Sequence, residues 1–79
     1  MKAKIRITLK KGVLDPQGKA IEGALGSLGF IGLENVRQGK YIELEMAETD
    51  AEKARVQIRS MCEKLLANTI IENYDIELA

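Results

Sequence analysis

The run "AKIRITLK" at residues 3–10 alternates without a break: Ile5, Ile7 and Leu9 share one face, and Lys4, Arg6, Thr8 and Lys10 share the other. A period of two is that of a strand with one face buried and one in water. Two later stretches repeat the pattern with the opposite charge. In "YIELEM" at 41–46, Ile42, Leu44 and Met46 face one way and Tyr41, Glu43 and Glu45 the other; in "YDIEL" at 74–78, Ile76 and Leu78 face inward and Asp75 and Glu77 outward. If the first strand is central in a sheet, its basic row lies between two acidic rows. Each cross-strand opposite-charge pair adds roughly 0.2–1 kcal/mol. This placement accounts for the basic N-terminus without invoking a nucleic acid.

Helical periodicity fills the gaps. Asp15 is suited to an N-cap and Pro16 to the first helical position. From there Ala20, Ile21, Ala24, Leu25 and Leu28 recur on one face until Gly29 stops the helix. Gly23 and Gly26 within it cost ~1 kcal/mol each against alanine, and mark a close helix approach or a weak helix. A second helix is expected over 48–66, capped by Thr49 or Asp50, with Ala51, Ala54, Ile58, Met61, Cys62 and Leu65 on its inner face. Residues 34–46 read as one long strand bent at Gly39, because Val36 keeps the parity of Ile42 across the glycine; a hairpin there is the alternative. Strand–helix–strand, twice over, is an α+β two-layer sandwich related to the ferredoxin-like fold, with an antiparallel sheet.

A single domain of 79 residues has a small core. One cysteine and no histidine leave neither a disulfide nor a Cys/His zinc site to reinforce it, so a partner subunit is the expected aid. We expect a dimer or dimer of dimers that completes the sheet through its strand edges, around Gly39. Twelve basic residues balance twelve acidic ones, against a nucleic-acid or membrane-surface binder. An RNA-binding sheet would also want stacking aromatics, for which only Tyr41 and Tyr74 are on offer. There is no long apolar span and no signal-like N-terminus, so a soluble cytoplasmic protein is expected.

Catalytic chemistry finds no foothold. Gly12, Gly18 and Lys19 suggest a phosphate loop, but five residues, Val13 to Gln17, separate the glycines where four are needed, and Ala20 stands in place of the magnesium-binding hydroxyl. Cys62 reads as core packing, with no histidine to activate it. "ETDAE" at 48–52 reads as a helix start, since it lacks the ligand spacing of a calcium loop. No catalytic, cofactor-binding or metal-binding residue is expected. Arg37, Gly39, Lys40 and Tyr41 are the candidate interface residues, Arg37 and Tyr41 being of the types that most often anchor interfaces.

Three stretches, "LKKGVLDPQGKAI", "ENVRQGKYIELE" and "CEKLLANTIIENYDIEL", together resemble the PurS family, the small subunits of phosphoribosylformylglycinamidine synthase. The resemblance runs nearly end to end. It implies a non-catalytic subunit in de novo purine synthesis, within a complex that converts formylglycinamide ribonucleotide, ATP and glutamine to formylglycinamidine ribonucleotide, ADP, phosphate and glutamate. It implies a glutaminase partner, PurQ, and a synthetase partner, PurL, which holds ATP and magnesium. The small subunit's implied part is to bridge the two and assist ammonia transfer. The rival reading is a stand-alone regulatory module of ferredoxin-like fold that binds a small molecule near "GVLDPQGKA"; fold analogy is its only warrant.

Overall fold

A computed structural model describes all of residues 1–79. The elements run β1 (Lys2–Leu9), α1 (Pro16–Ser27), β2 (Gly39–Glu45), α2 (Ala51–Met61), a single π-helical turn (Cys62–Leu66) and β3 (Glu72–Leu78). The sheet order is β2-β1-β3, both pairings antiparallel, so the basic strand is central. Lys4 stands opposite Glu43 and Glu77, and Arg6 opposite Tyr41 and Asp75. Ion pairs follow from that register: Lys2 to Glu43 at 3.1 Å and Arg6 to Glu77 at 3.0 Å. Each is half-exposed and screened by water, so the row aligns the strands more than it stabilises them.

The core lies on the other face. Ala3, Ile5 and Ile7 of β1 are fully buried with Ile58 and Cys62, and Ile76, Leu78 and Tyr74 pack against them. Tyr74 therefore belongs to the helix side of the sheet, because it pairs with Ile7; it is not available to an RNA-stacking face. α2 lies over the β3 side, with Ala54, Ile58 and Cys62 turned inward at four-residue spacing. Asp50 caps it, accepting from the backbone N–H groups of Glu52 (2.8 Å) and Lys53 (3.2 Å).

Three expectations are corrected. The second helix ends its α-helical part at Met61, and the π turn, in which the Ala67 N–H reaches the Cys62 carbonyl at 3.0 Å, inserts an extra residue. That insertion rotates the last turn, so Leu66 packs on the core while Leu65 is exposed. Residues 34–38 are not strand; β2 begins at Gly39, and neither a long bent strand nor a hairpin forms. The parity of Val36 was no guide, because Val36 is held instead by α1: its N–H donates to Glu22 at 3.2 Å.

The third concerns α1, whose apolar face was expected to pack inward. Apart from Gly18 no residue of α1 is buried, and Ile21 and Leu28 are exposed. The helix and the segment that returns from it form an arm projecting from the sheet. The chain measures 48 × 25 × 15 Å with a radius of gyration of 15.8 Å. A compact chain of this length has ~12 Å. Gly23 and Gly26 meet nothing within 4 Å, so no close helix approach within the chain explains them.

Candidate functional site

The arm joins the sheet at one end, where most of the sequence-marked residues gather. Asp15 is the hinge pin. It is only 5% exposed, and its carboxylate accepts from the Gly18 N–H (Oδ1, 2.8 Å) and from the Gln38 N–H (Oδ2, 2.8 Å). The two bonds tie the start of α1 to the start of β2. The same donors, first Gln38 and then Gly18, hold the Asp15 carboxyl below its ordinary range, since they favour the charged form. Gln38 adds a side-chain bond to Gln17 at 2.6 Å. Gly18 is required here: a Cβ would lie 2.3 Å from the Val36 carbonyl oxygen.

This arrangement disposes of the phosphate loop chemically. The Gly18 N–H, which a phosphate would need, is already spent on a carboxylate, and Lys19 lies in the first turn of α1. A small cleft of about 200 Å³ lies beside the hinge, lined by Ile7, Leu9, Asp15, Gln38, Lys40 and Glu72 among others. Its charges are mutually engaged, with Lys40 Nζ at 3.6 Å from Glu72. No group of three or more His, Cys, Asp or Glu side chains is placed to hold a metal ion.

The four candidate interface residues adjoin in sequence but do not form one patch. Arg37 donates to the Lys10 carbonyl at 3.2 Å, bracing the hinge. Gly39 sits inside the β1–β2 pairing opposite Thr8, where a Cβ would fall 2.4 Å from the Ile7 carbonyl oxygen. It thus permits close strand approach rather than a bend. Lys40, paired with inward-facing Ile7, points to the helix-bearing side, and Tyr41 to the open side. Tyr41 is half-exposed, lies 5.6 Å beneath the Arg6 guanidinium and donates its hydroxyl to Glu43 at 2.9 Å. That hydrogen bond raises the Tyr41 pKa and, with Lys2, lowers that of Glu43. Sequence reading missed Arg6 as the partner of Tyr41 and Glu22 as the second tie to the 34–38 segment. The first was legible from cross-strand register once the strands were placed; the second had no local signal.

Cys62 is fully buried and its thiol pKa is raised by burial, the opposite of an activated nucleophile. No helix is long and apolar enough to cross a membrane.

Comparison with known proteins places this geometry. The family described as PurS, phosphoribosylformylglycinamidine (FGAM) synthase, matches residues 2–79. The phosphoribosylformylglycinamidine synthase subunit PurS of Synechocystis is 48% identical over 75 residues, covering 95% of this chain and 75% of that one. The PurS subunit of Bacillus subtilis is 47% identical over 77 residues, covering 98% of this chain and 90% of its own. Among solved structures, Methanocaldococcus jannaschii PurS superposes with a TM-score of 0.86 at 45% identity, over 96% of this chain and 92% of that one. A chain in the structure of PurLQS from Thermotoga maritima gives 0.87 at 33% identity, over 96% and 93%.

Proposed function

The chain belongs to the PurS family, and from that premise we propose that it bridges the synthetase and glutaminase subunits of phosphoribosylformylglycinamidine synthase. It is a non-catalytic subunit of this ligase, acting in purine biosynthesis. The observation that carries the reading is the match of residues 2–79 to the family, reinforced by a fold that agrees with solved PurS structures over nearly the whole chain. The complex converts formylglycinamide ribonucleotide, ATP and glutamine to formylglycinamidine ribonucleotide, ADP, phosphate and glutamate. ATP and magnesium are held by the synthetase subunit PurL, and glutamine is hydrolysed on PurQ. We place the complex in the cytoplasm, and this chain in it as a single domain, residues 1–79.

The physical task of such a subunit is geometric. Ammonia freed by a glutaminase becomes ammonium when it meets neutral water, and ammonium is no nucleophile. A rigid bridge holds the two active sites in register and keeps solvent from their junction. Homo-oligomerisation, as a dimer or dimer of dimers, gives a small chain the core it lacks. Contacts to the other subunits are proposed around the hinge end of the sheet, where Arg37, Gly39, Lys40 and Tyr41 lie on different faces, with Tyr41 and Arg6 offering an exposed aromatic–guanidinium pair on the open one.

The test is a synthase assay with PurL and PurQ of the same organism, with and without this chain, using glutamine or ammonium chloride as nitrogen source. Glutamine-dependent turnover should require the chain and ammonium-dependent turnover should not. If neither rate responds, the bridging role is wrong.

A further inference from the structure

β3 is an outer strand with one side unpaired. The sheet runs β2-β1-β3, so β3 bonds to β1 alone. Two bonds that flank this pairing fix its phase: the Lys10 N–H donates to the Ile71 carbonyl at 2.8 Å, and the Ala79 N–H to the Lys2 carbonyl at 3.0 Å. Antiparallel strands exchange bonds at every second pair, so Asn73, Asp75 and Glu77 spend their backbone groups on β1. Those of Tyr74, Ile76 and Leu78 point outward. An open strand of seven residues is a template for another strand, and no proline, lysine or bulge blunts this one.

The charges beside the edge state what would fit it. A hollow of about 390 Å³ lies between α2 and β3, lined by Arg55, Arg59, Tyr74, Asp75 and Ile76. Both arginines are exposed, and neither is in an ion pair with a carboxylate of its own chain. Four residues of helix rise ~6 Å, and alternate residues of a strand stand ~6.7 Å apart. Acidic side chains at alternate positions of an added strand therefore match the two arginines in pitch. On the open face β3 presents Asp75, its side chain 76% exposed, and Glu77. The intervening residues of the added strand would meet these, which calls for basic side chains. The hollow beside the other outer strand, β2, is lined by Leu44, Met46, Gln57 and Met61 among others and holds no cation.

A second copy of this chain does not satisfy the edge. Two-fold pairing of β3 with itself, centred on Ile76, would set Asp75 opposite Glu77 of the second copy and add one arginine pair to another. Like charges so placed are destabilising.

We infer that the outer edge of β3 takes up an extended segment of a different protein as a further antiparallel strand, its acidic side chains toward Arg55 and Arg59 and its basic ones toward Asp75 and Glu77. This goes beyond the bridging role and stands or falls without it.

The test is an NMR titration of the full chain with the capped peptide Thr-Glu-Lys-Glu-Lys-Glu-Thr. Binding should shift the amides of Tyr74, Ile76 and Leu78 and slow their exchange, leaving the amides of β2 unmoved. Arg55→Gln/Arg59→Gln should weaken it ~2–30-fold, as the loss of two exposed ion pairs demands. In an antiparallel strand the glutamates that face α2 also turn their backbone to β3. N-methylation of the peptide's glutamates should therefore abolish binding, and N-methylation of its lysines should leave it intact. Equal binding by the glutamate-methylated peptide overturns strand addition in favour of simple charge attraction. Shifts confined to β2 or to the open face, or no binding at millimolar peptide, also overturn the inference. Slowed exchange of the same amides that grows with protein concentration in the absence of peptide overturns it by giving the edge to a second copy.

Discussion

Two glycines of α1 provide a sharp trial of the hinge geometry, because the same substitution should act with opposite sign at each. Alanine in place of glycine inside a helix gains ~0.5–1 kcal/mol where the backbone accepts it. At Gly23 a new Cβ meets nothing within 4 Å, so Gly23→Ala should realise that gain in full. At Gly18 the same Cβ would lie 2.3 Å from the Val36 carbonyl oxygen and 2.8 Å from the Asp15 carboxylate. Normal contact requires Val36 to retreat by ~1 Å, and overpacking of this kind costs ~1–3 kcal/mol. The clash exceeds the propensity gain, leaving Gly18→Ala a net ~1–2 kcal/mol less stable in the arm. Hydrogen exchange of the α1 amides, read by NMR at one protein concentration, reports the arm separately from the core. Gly23→Ala should slow that exchange ~2–5-fold and Gly18→Ala accelerate it ~5–30-fold, from the Boltzmann factors of those energies. If Gly18→Ala protects the helix as well as Gly23→Ala does, the 36–38 segment is free to move and the pinned-hinge argument fails.

Other consequences can be measured directly. Asp15 has a folded pKa depressed below its ordinary 3.8, so its stabilisation of the arm is complete above that value and is lost as pH falls through the lower folded pKa. Asp15→Asn should loosen α1 at neutral pH by exchange, and the difference from wild type should vanish in acid; a difference that persists there would refute the assignment. Ile58 is fully buried among β1 side chains, and Ile58→Ala should cost ~2–4 kcal/mol in urea unfolding, enough to threaten a chain this small. The Cys62 thiol, buried and raised in pKa, should stay silent to Ellman's reagent until urea unfolds the protein; fast labelling of the native chain would contradict its placement.

Local physics made the strands, their faces and their charge rows readable from the chain, and the charge rows fit a central first strand. The alternation of Ile5 and Ile7 with Lys4 and Arg6 named both faces of β1, and the acidic rows at Glu43 and Glu77 named its neighbours. The caps at Asp15 and Asp50 were equally local, each carboxylate accepting from an N–H two or three residues on, whereas the second bond of Asp15, from the Gln38 N–H, had no local signal. What failed was anything set by distant contacts. The apolar stripe of α1 implied burial, and periodicity carries no information about which chain supplies the cover. The parity of Val36 suggested a strand, while the actual partner was Glu22, fourteen residues earlier. The interface candidates around Gly39 were neighbours in sequence, but strand pleating sends Lys40 and Tyr41 to opposite faces, and the Ile7 carbonyl claims the space at Gly39.

The π turn at Cys62–Leu66 also bears on which changes in length the fold can absorb. In β3 a single added or deleted residue would throw Tyr74, Ile76 and Leu78 to the solvent side, since a strand has only two phases. The turn works as a slack loop in a taut line: it holds one residue more than a regular helix needs before the chain enters β3. Deleting Glu63 would convert it to ordinary helix and take up the slack upstream, leaving the pairing of β3 with β1 where it is. The end of the second helix can therefore lose a residue while the sheet keeps its register.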